Sequence, residues 1–141
     1  MEPTTWPPVS TLTRAAGPGW TGLWSLLFTT ERAIEALVQT TSFSEALDLI
    51  SLGEELRAAG DDVAERHPRT VASATAADLG PVASAAEIPN ARATIATLLS
   101  AVIAQSDDLL TRAPSADDTL WLSGLTASLF AARANLNGTG A

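Results

Sequence analysis

Apolar residues recur along this chain at three- and four-residue spacing, the repeat that puts side chains on one face of an α-helix. Trp20, Leu23, Trp24, Leu27, Ile34, Leu37 and Val38 define one such face, widened by Leu26 and Ala33, and predict a helix from about Trp20 to Thr40. Arg32, Glu35 and Gln39 fall off that face. Ser42, with Glu45 three residues on, has capping-box spacing and opens a second helix from Phe43 to His67, which Pro68 ends. Its apolar face reads Phe43, Ala46, Leu49, Ile50, Gly53, Leu56, Gly60 and Val63. A third helix is predicted to begin between Ile88 and Ala91, with Pro89 in its first turn and Asn90 as its cap, and to run to about Arg112. Ile95, Leu98, Leu99, Val102, Ser106, Leu109 and Leu110 form its face. After Pro114-Ser115, Asp117 and Asp118 suit the first turn of a fourth helix, where the dipole favours negative charge. That helix runs to about Leu136, and Asn137-Gly138 stops it.

The stretches between are different. Residues 1–19 read as an extended arm, because Pro3, Pro7, Pro8, Gly17, Pro18 and Gly19 interrupt any long helix; a short turn fits Ser10–Ala16. Arg69 to Asn90 is rich in Ala, Ser and Thr without strong periodicity, and a short helix at Thr70–Leu79 would stop at Gly80-Pro81. Nowhere do β-branched residues alternate as a strand requires. The expectation is an all-α protein: an antiparallel four-helix bundle over residues 20–136, an N-terminal arm over 1–19, and a tail over 137–141.

The fourth helix breaks the amphipathic pattern. It carries no charge from Thr119 to Ala132. Leu122, Leu125, Leu129 and Leu136 form one stripe, while Leu120, Ala127, Phe130, Ala131 and Ala134 lie around much of the remainder. A helix apolar nearly all round is either central or covered. The cover can come from the arm or middle segment, from a second copy, or from a partner. Gly53 and Gly60, aligned on the second helix, each cost roughly 0.5–1 kcal/mol relative to Ala, which predicts close approach of a neighbouring helix there.

Composition closes several chemistries. The 141 residues include no Cys, no Lys, no Tyr and one His. Disulfides, thiolate metal sites, Cys nucleophiles and Lys Schiff bases are therefore impossible. With Lys+Arg 8 against Asp+Glu 16, the formal net charge is −8. Eight scattered arginines make no phosphate-binding stripe, so neither nucleic acid nor an anionic membrane is an expected partner. A basic protein is the electrostatically favoured one. No signal-peptide pattern is found, and no run reaches the roughly 18 apolar residues of a membrane span, so a soluble, cytoplasmic protein is the expectation.

The run from Glu54 to His67 contains acids and the single His, but lacks the spacing of a di-iron or calcium site, and reads as a solvated acidic face. No metal and no cofactor are expected. His67 reads as a helix-end or core-edge residue, and no Ser-His-acid triad can be singled out. Glu31, at the edge of the first helix's apolar face, reads as reaching water; it can also pair with an Arg of another helix, or be buried with a raised pKa as a general acid needs. Trp20-Thr21-Gly22 shares the W-x-G letters of small secreted helical-hairpin proteins, but opens a helix here instead of lying in a turn between two, so no family follows.

The leading expectation is a non-catalytic interaction protein, self-associating through the fourth helix or the arm, with Trp6, Leu120 and Phe130 as interface residues. The alternative is a binder of an apolar small molecule, or a cofactor-free enzyme, with a pocket lined by Trp20, Trp24 and Trp121 and Glu31 as its one charged group. A further alternative is an acidic inhibitor or immunity-type protein for a basic partner.

Overall fold

The computed structural model describes residues 6–77, 79–82, 85–112 and 115–138. Among these the chain is all-helical, with no strand: α1 (Val9–Ala16), α2 (Gly19–Val38), α3 (Phe43–Arg66), α4 (Pro68–Val71), α5 (Ile88–Thr111) and α6 (Ala116–Gly138), plus one 3₁₀ turn at Ala85–Glu87. The four long helices lie within about two residues of the expected boundaries. Pro3, Pro114 and residues 139–141 of the tail lie outside the described residues.

The caps differ in part from the sequence expectation. Ser115 caps α6 as its chemistry suggests, accepting from the Asp118 N–H at 3.1 Å. Ser42 makes no side-chain cap bond to α3. Asn90 lies inside α5, which already begins at Ile88, with Pro89 in its first turn.

Side-chain pairs fix how the long helices meet. Along α2 and α3, Phe28 lies against Gly60, Glu31 bonds Arg57, and Ile34 lies against Gly53. Along α3 and α6, Arg66 pairs with Asp117 and Asp118, Asp62 with Trp121, and Glu55 with Ser128. Along α5 and α6, Arg92 donates to the Leu136 carbonyl and Arg133 to Ser100. In each series, numbers rise on one helix as they fall on the other.

The helix enclosed on most sides is α2, not α6. It packs against α1, α3, α4 and α5. Its buried set goes well beyond the apolar stripe, taking in Gly22, Ser25, Thr29, Thr30 and Glu31. Ser25 and Thr29 belong to a row of hydroxyls four residues apart, while Thr30 donates to the Leu26 carbonyl of its own helix. Thr21 Oγ1 donates to the Thr70 carbonyl, Ser25 Oγ donates to the Thr75 carbonyl, and Thr29 Oγ1 accepts from the Ala77 N–H. The irregular chain after α4 thus runs along α2 as a strap, its peptide groups satisfied by α2 side chains. Val71, Leu79 and Val82 bury their side chains beside it. The short helix expected at Thr70–Leu79 is replaced by α4 and this strap, because an Ala/Ser/Thr sequence with few apolar anchors gains more from those hydroxyls than from a helix of its own.

The described part of the N-terminal arm, residues 6–19, is likewise folded, not extended, and the short turn expected at Ser10–Ala16 is α1. α1 buries Leu12 and Ala16 in the common core. Gly17 and Gly19, both with positive φ (81° and 71°), make the corner into α2. Gln105 of α5 donates to both corner carbonyls, at 3.4 Å to Gly17 and 2.9 Å to Gly19. Gly22 closes the corner, since a Cβ there would stand 1.8 Å from the Gly17 carbonyl oxygen.

Candidate functional site

Two surfaces carry chemistry that the core does not explain: the outer face of α6 and the seam between α3 and α6.

On α6, Leu122, Leu125, Leu129 and Leu136 point into the core. The opposite face shows Leu120 at 77% and Phe130 at 48% exposure, with Ser123, Gly124, Ala127, Ala131 and Ala134 exposed between and beyond them. A Cβ on Gly124 would meet nothing within 4 Å. The arm and the middle segment, which could have covered this face, both lie on α2. On α2, Thr21, Ser25 and Thr29 stand four residues apart in one row and bond the irregular backbone, whereas the outer face of α6 carries no such row.

The α3–α6 seam has two unlike halves. At one end the helices are clasped. Trp121 donates from its indole to Asp62 at 3.3 Å, and Arg66 lies 5.3 Å over the Trp121 ring while reaching Asp117 at 2.6 Å and Asp118 at 3.3 Å. His67, at the α3–α4 junction, stacks on Trp20 with centroids 4.1 Å apart, and Trp20 in turn meets Trp121 at 6.0 Å. The His67 Nε2 lies 3.4 Å from Asp118, an ion-pair separation without hydrogen-bond alignment. Beyond the Ser128–Glu55 bond the seam opens into a groove of about 980 Å³. Its walls run from Ser44 to Glu55 on α3 and from Ser128 to Leu136 on α6, with Ile88 and Arg92 of α5 beneath.

The tryptophans named as pocket residues are only partly brought together. Trp20 and Trp121 meet at the clasp, while Trp24 packs on Phe28, centroids 4.7 Å apart. None of the three, and not Glu31, lines either of the two principal cavities. Trp6 is no free anchor: it is half-buried, and its indole donates to the Gly80 carbonyl at 3.0 Å.

Glu31 does not reach past its neighbours to water. It is 5% exposed and accepts from Arg57 at 3.0 Å, with Glu35 on the same guanidinium at 3.2 Å. Burial pushes its pKa up, opposed by the Arg57 hydrogen bond. The fit comes from the face of α2 that meets α3, where Arg57 stands opposite. Gly60 on that seam admits the Phe28 ring, 2.3 Å from where a Cβ would stand, so the close approach is to a side chain and not to a helix backbone.

The sequence reading missed the outward stripe of α3. Helical spacing puts Phe43 and Ile50 on the core face, yet Phe43 is 78% exposed, and Leu47 and Ile50 are exposed with it. The buried set is Ala46, Leu49, Leu52, Gly53, Leu56, Ala59, Gly60 and Val63. Phe43, Leu47 and Ile50 form their own i, i+4, i+7 series on the other side, a spacing legible in the sequence once the two series are separated.

Among the described residues, no three His, Asp or Glu side chains converge as metal ligands. One helical stretch, Ala85–Thr111, is long and apolar enough by length and composition to cross a membrane. It is also the stretch whose α5 face packs against both α2 and α6. Comparison with known families, characterised proteins and solved structures gives no match.

Proposed function

We propose that this protein is a non-catalytic, self-associating helical-bundle protein whose interface is the outer face of α6. The pairings along α2–α3, α3–α6 and α5–α6 support reading the long helices as an antiparallel four-helix bundle. One observation carries the functional reading: the wet side of α6 is uncharged from Thr119 to Ala132 and exposes Leu120 and Phe130, in a molecule of net charge −8. Two copies of so acidic a chain repel each other except through a patch free of acids.

The pattern on this face is self-complementary, as a two-fold contact requires. In an antiparallel α6 pair centred at Ala127, Leu120 of one copy faces Ala134 of the other. Phe130 faces the Ser123-Gly124 step, so large side chains oppose small ones. A helix pair alone falls short of the roughly 800 Å² per partner of a stable interface. The uncharged, exposed Ala93, Thr97 and Ala104 of adjacent α5 extend the contact.

Sedimentation or light scattering tests the proposal. The expected result is a concentration-dependent shift from 14.6 kDa toward twice that mass. Leu120→Asp and Phe130→Asp, both on solvent-facing positions, should abolish it while circular dichroism stays unchanged. A monomer at every soluble concentration overturns the reading.

A further inference from the structure

We propose that the open half of the α3–α6 seam is a docking groove for a cationic amphipathic helix of another protein.

The groove has the length of such a helix. Its α3 wall runs from Ser44 to Glu55, which at 1.5 Å per residue spans about 16 Å, or three helical turns. Its floor combines Ile88 and Arg92 with the edges of Leu49, Leu52 and Leu136, which are otherwise buried. Phe43 and Leu47, exposed on the outward side of the same α3 segment, continue apolar surface beyond that wall. Three turns of an incoming helix would set apolar side chains at i, i+4 and i+7 onto this floor, the usual mode of helix-in-groove recognition. An extended peptide gains main-chain bonds by pairing with a sheet edge, and no strand is present among the described residues.

The charge of the partner follows from the rim. Asp48 and Glu55 line the groove, and Glu54 is exposed on the outward side of α3. From Ala33 to Leu56 the chain contains Glu35, Glu45, Asp48, Glu54 and Glu55 and no Arg or Lys. The one cation in the lining, Arg92, donates to the Leu136 carbonyl at 3.1 Å. Bases flanking the apolar stripe of an incoming helix would therefore meet acids on the α3 side. A second copy of this chain is a poor occupant, because none of its long helices presents an apolar face edged by several arginines. The groove shares Ala131 with the outward face of α6 but neither Leu120 nor Phe130, so variants at those two positions let the two proposals fail independently.

The test uses a fluorescein-labelled, helix-forming Leu/Lys peptide of four turns, its Leu/Glu counterpart, and a Leu/Lys peptide of the same composition scrambled to destroy the helical stripe. Fluorescence anisotropy is read with the full chain at low and high salt. The Leu/Lys helix should bind, roughly tenfold or more tighter than either control, and weaken with salt. Asp48→Arg/Ser51→Arg, both at residues that line the groove, and the groove-filling Ala132→Trp should each weaken it by about tenfold or more. Leu120→Asp should leave it unchanged. Circular dichroism confirms that each variant is folded. Equal binding of the scrambled or Leu/Glu peptide, no binding at all, or loss with Leu120→Asp but not with the groove variants overturns the proposal. A change in solution mass that Ala132→Trp abolishes and Leu120→Asp does not, in place of peptide binding, assigns the groove to a second copy and overturns it equally.

Discussion

At one end of the α3–α6 seam, side chains of large volume and opposite charge meet: Trp20, Trp121, His67 and Arg66 against Asp62, Asp117 and Asp118. At the other end, the facing residues are Ser44, Asp48 and Ser51 on α3 and Ser128, Ala131 and Ala132 on α6, and the helices leave about 980 Å³ between them. The same two helices are thus bridged by long side chains at one end and left apart at the other. What differs is side-chain volume, since closely packed interiors need it to reach native density. Small polar residues bring neither the volume nor the apolar area that would draw the helices together.

The sharpest way to break this contrast is to truncate a leucine at each end. Leu122 is fully buried on the clasped half of α6, so Leu122→Ala should leave a cavity and cost toward the upper end of about 2–5 kcal/mol. Leu136 borders the groove, where solvent can fill the vacated space, and Leu136→Ala should cost at or below the lower end of that range. Urea unfolding of the two variants gives the comparison; equal losses would mean the two halves are equally packed.

A second pair lies on α3. A side chain at Gly60 collides with the Phe28 ring, so Gly60→Leu should destabilise by about 1–3 kcal/mol through overpacking. Gly53, toward the open half, would place a Cβ 3.4 Å from Ile34 Cγ2, an ordinary contact. Gly53→Ala should therefore gain helix propensity and stabilise by up to about 1 kcal/mol. Opposite signs in thermal melts support the packing difference, and a shared sign contradicts it. At the clasp itself, Arg66→Ala removes ion pairs whose Asp117 partner is exposed, and should cost no more than about 1 kcal/mol, less in high salt. A larger loss, insensitive to salt, would assign the clasp to ring packing over Trp121.

The smallest expected effect concerns Glu31. Its folded-state pKa is raised, chiefly by burial. Between the ordinary Glu range and that raised value the folded chain holds more protons than the unfolded one, so this group lowers stability as pH rises through the window. Stability gained from the protonated form is fully present below the ordinary range. Glu31→Gln should flatten this segment of the stability–pH curve relative to the parent. Parallel curves for parent and variant would show that the carboxylate is not desolvated.

The fold was largely legible because four stretches carry sustained three-four periodicity, which needs no tertiary information to read. The strap was not, because its order depends on hydroxyls of α2 that sequence alone scores as minor helix residues. The same holds for which helix is enclosed. Thr21, Ser25 and Thr29 are polar by type, yet they draw backbone onto α2, while α6, apolar by type, is left with one face in water. Of the expected interface residues, Leu120 and Phe130 are solvent-facing, and Trp6 is engaged with Gly80. The outward stripe of α3 was hidden because Phe43 and Ile50, seven apart, also fit one helical face. Burial alone separated the two overlapping series.

The hydroxyl row on α2 holds α4 and the strap by peptide groups: the Thr70 and Thr75 carbonyls and the Ala77 N–H. Ala72, Ser73 and Thr75, exposed along that path, are therefore free to diverge in identity without loosening the attachment, provided Val71, Leu79 and Val82 keep their bulk. Relatives of this chain should drift fastest there and stay hydroxylated at Thr21, Ser25 and Thr29. A protein engineer seeking a place to write a tag or an epitope would start with those three exposed positions.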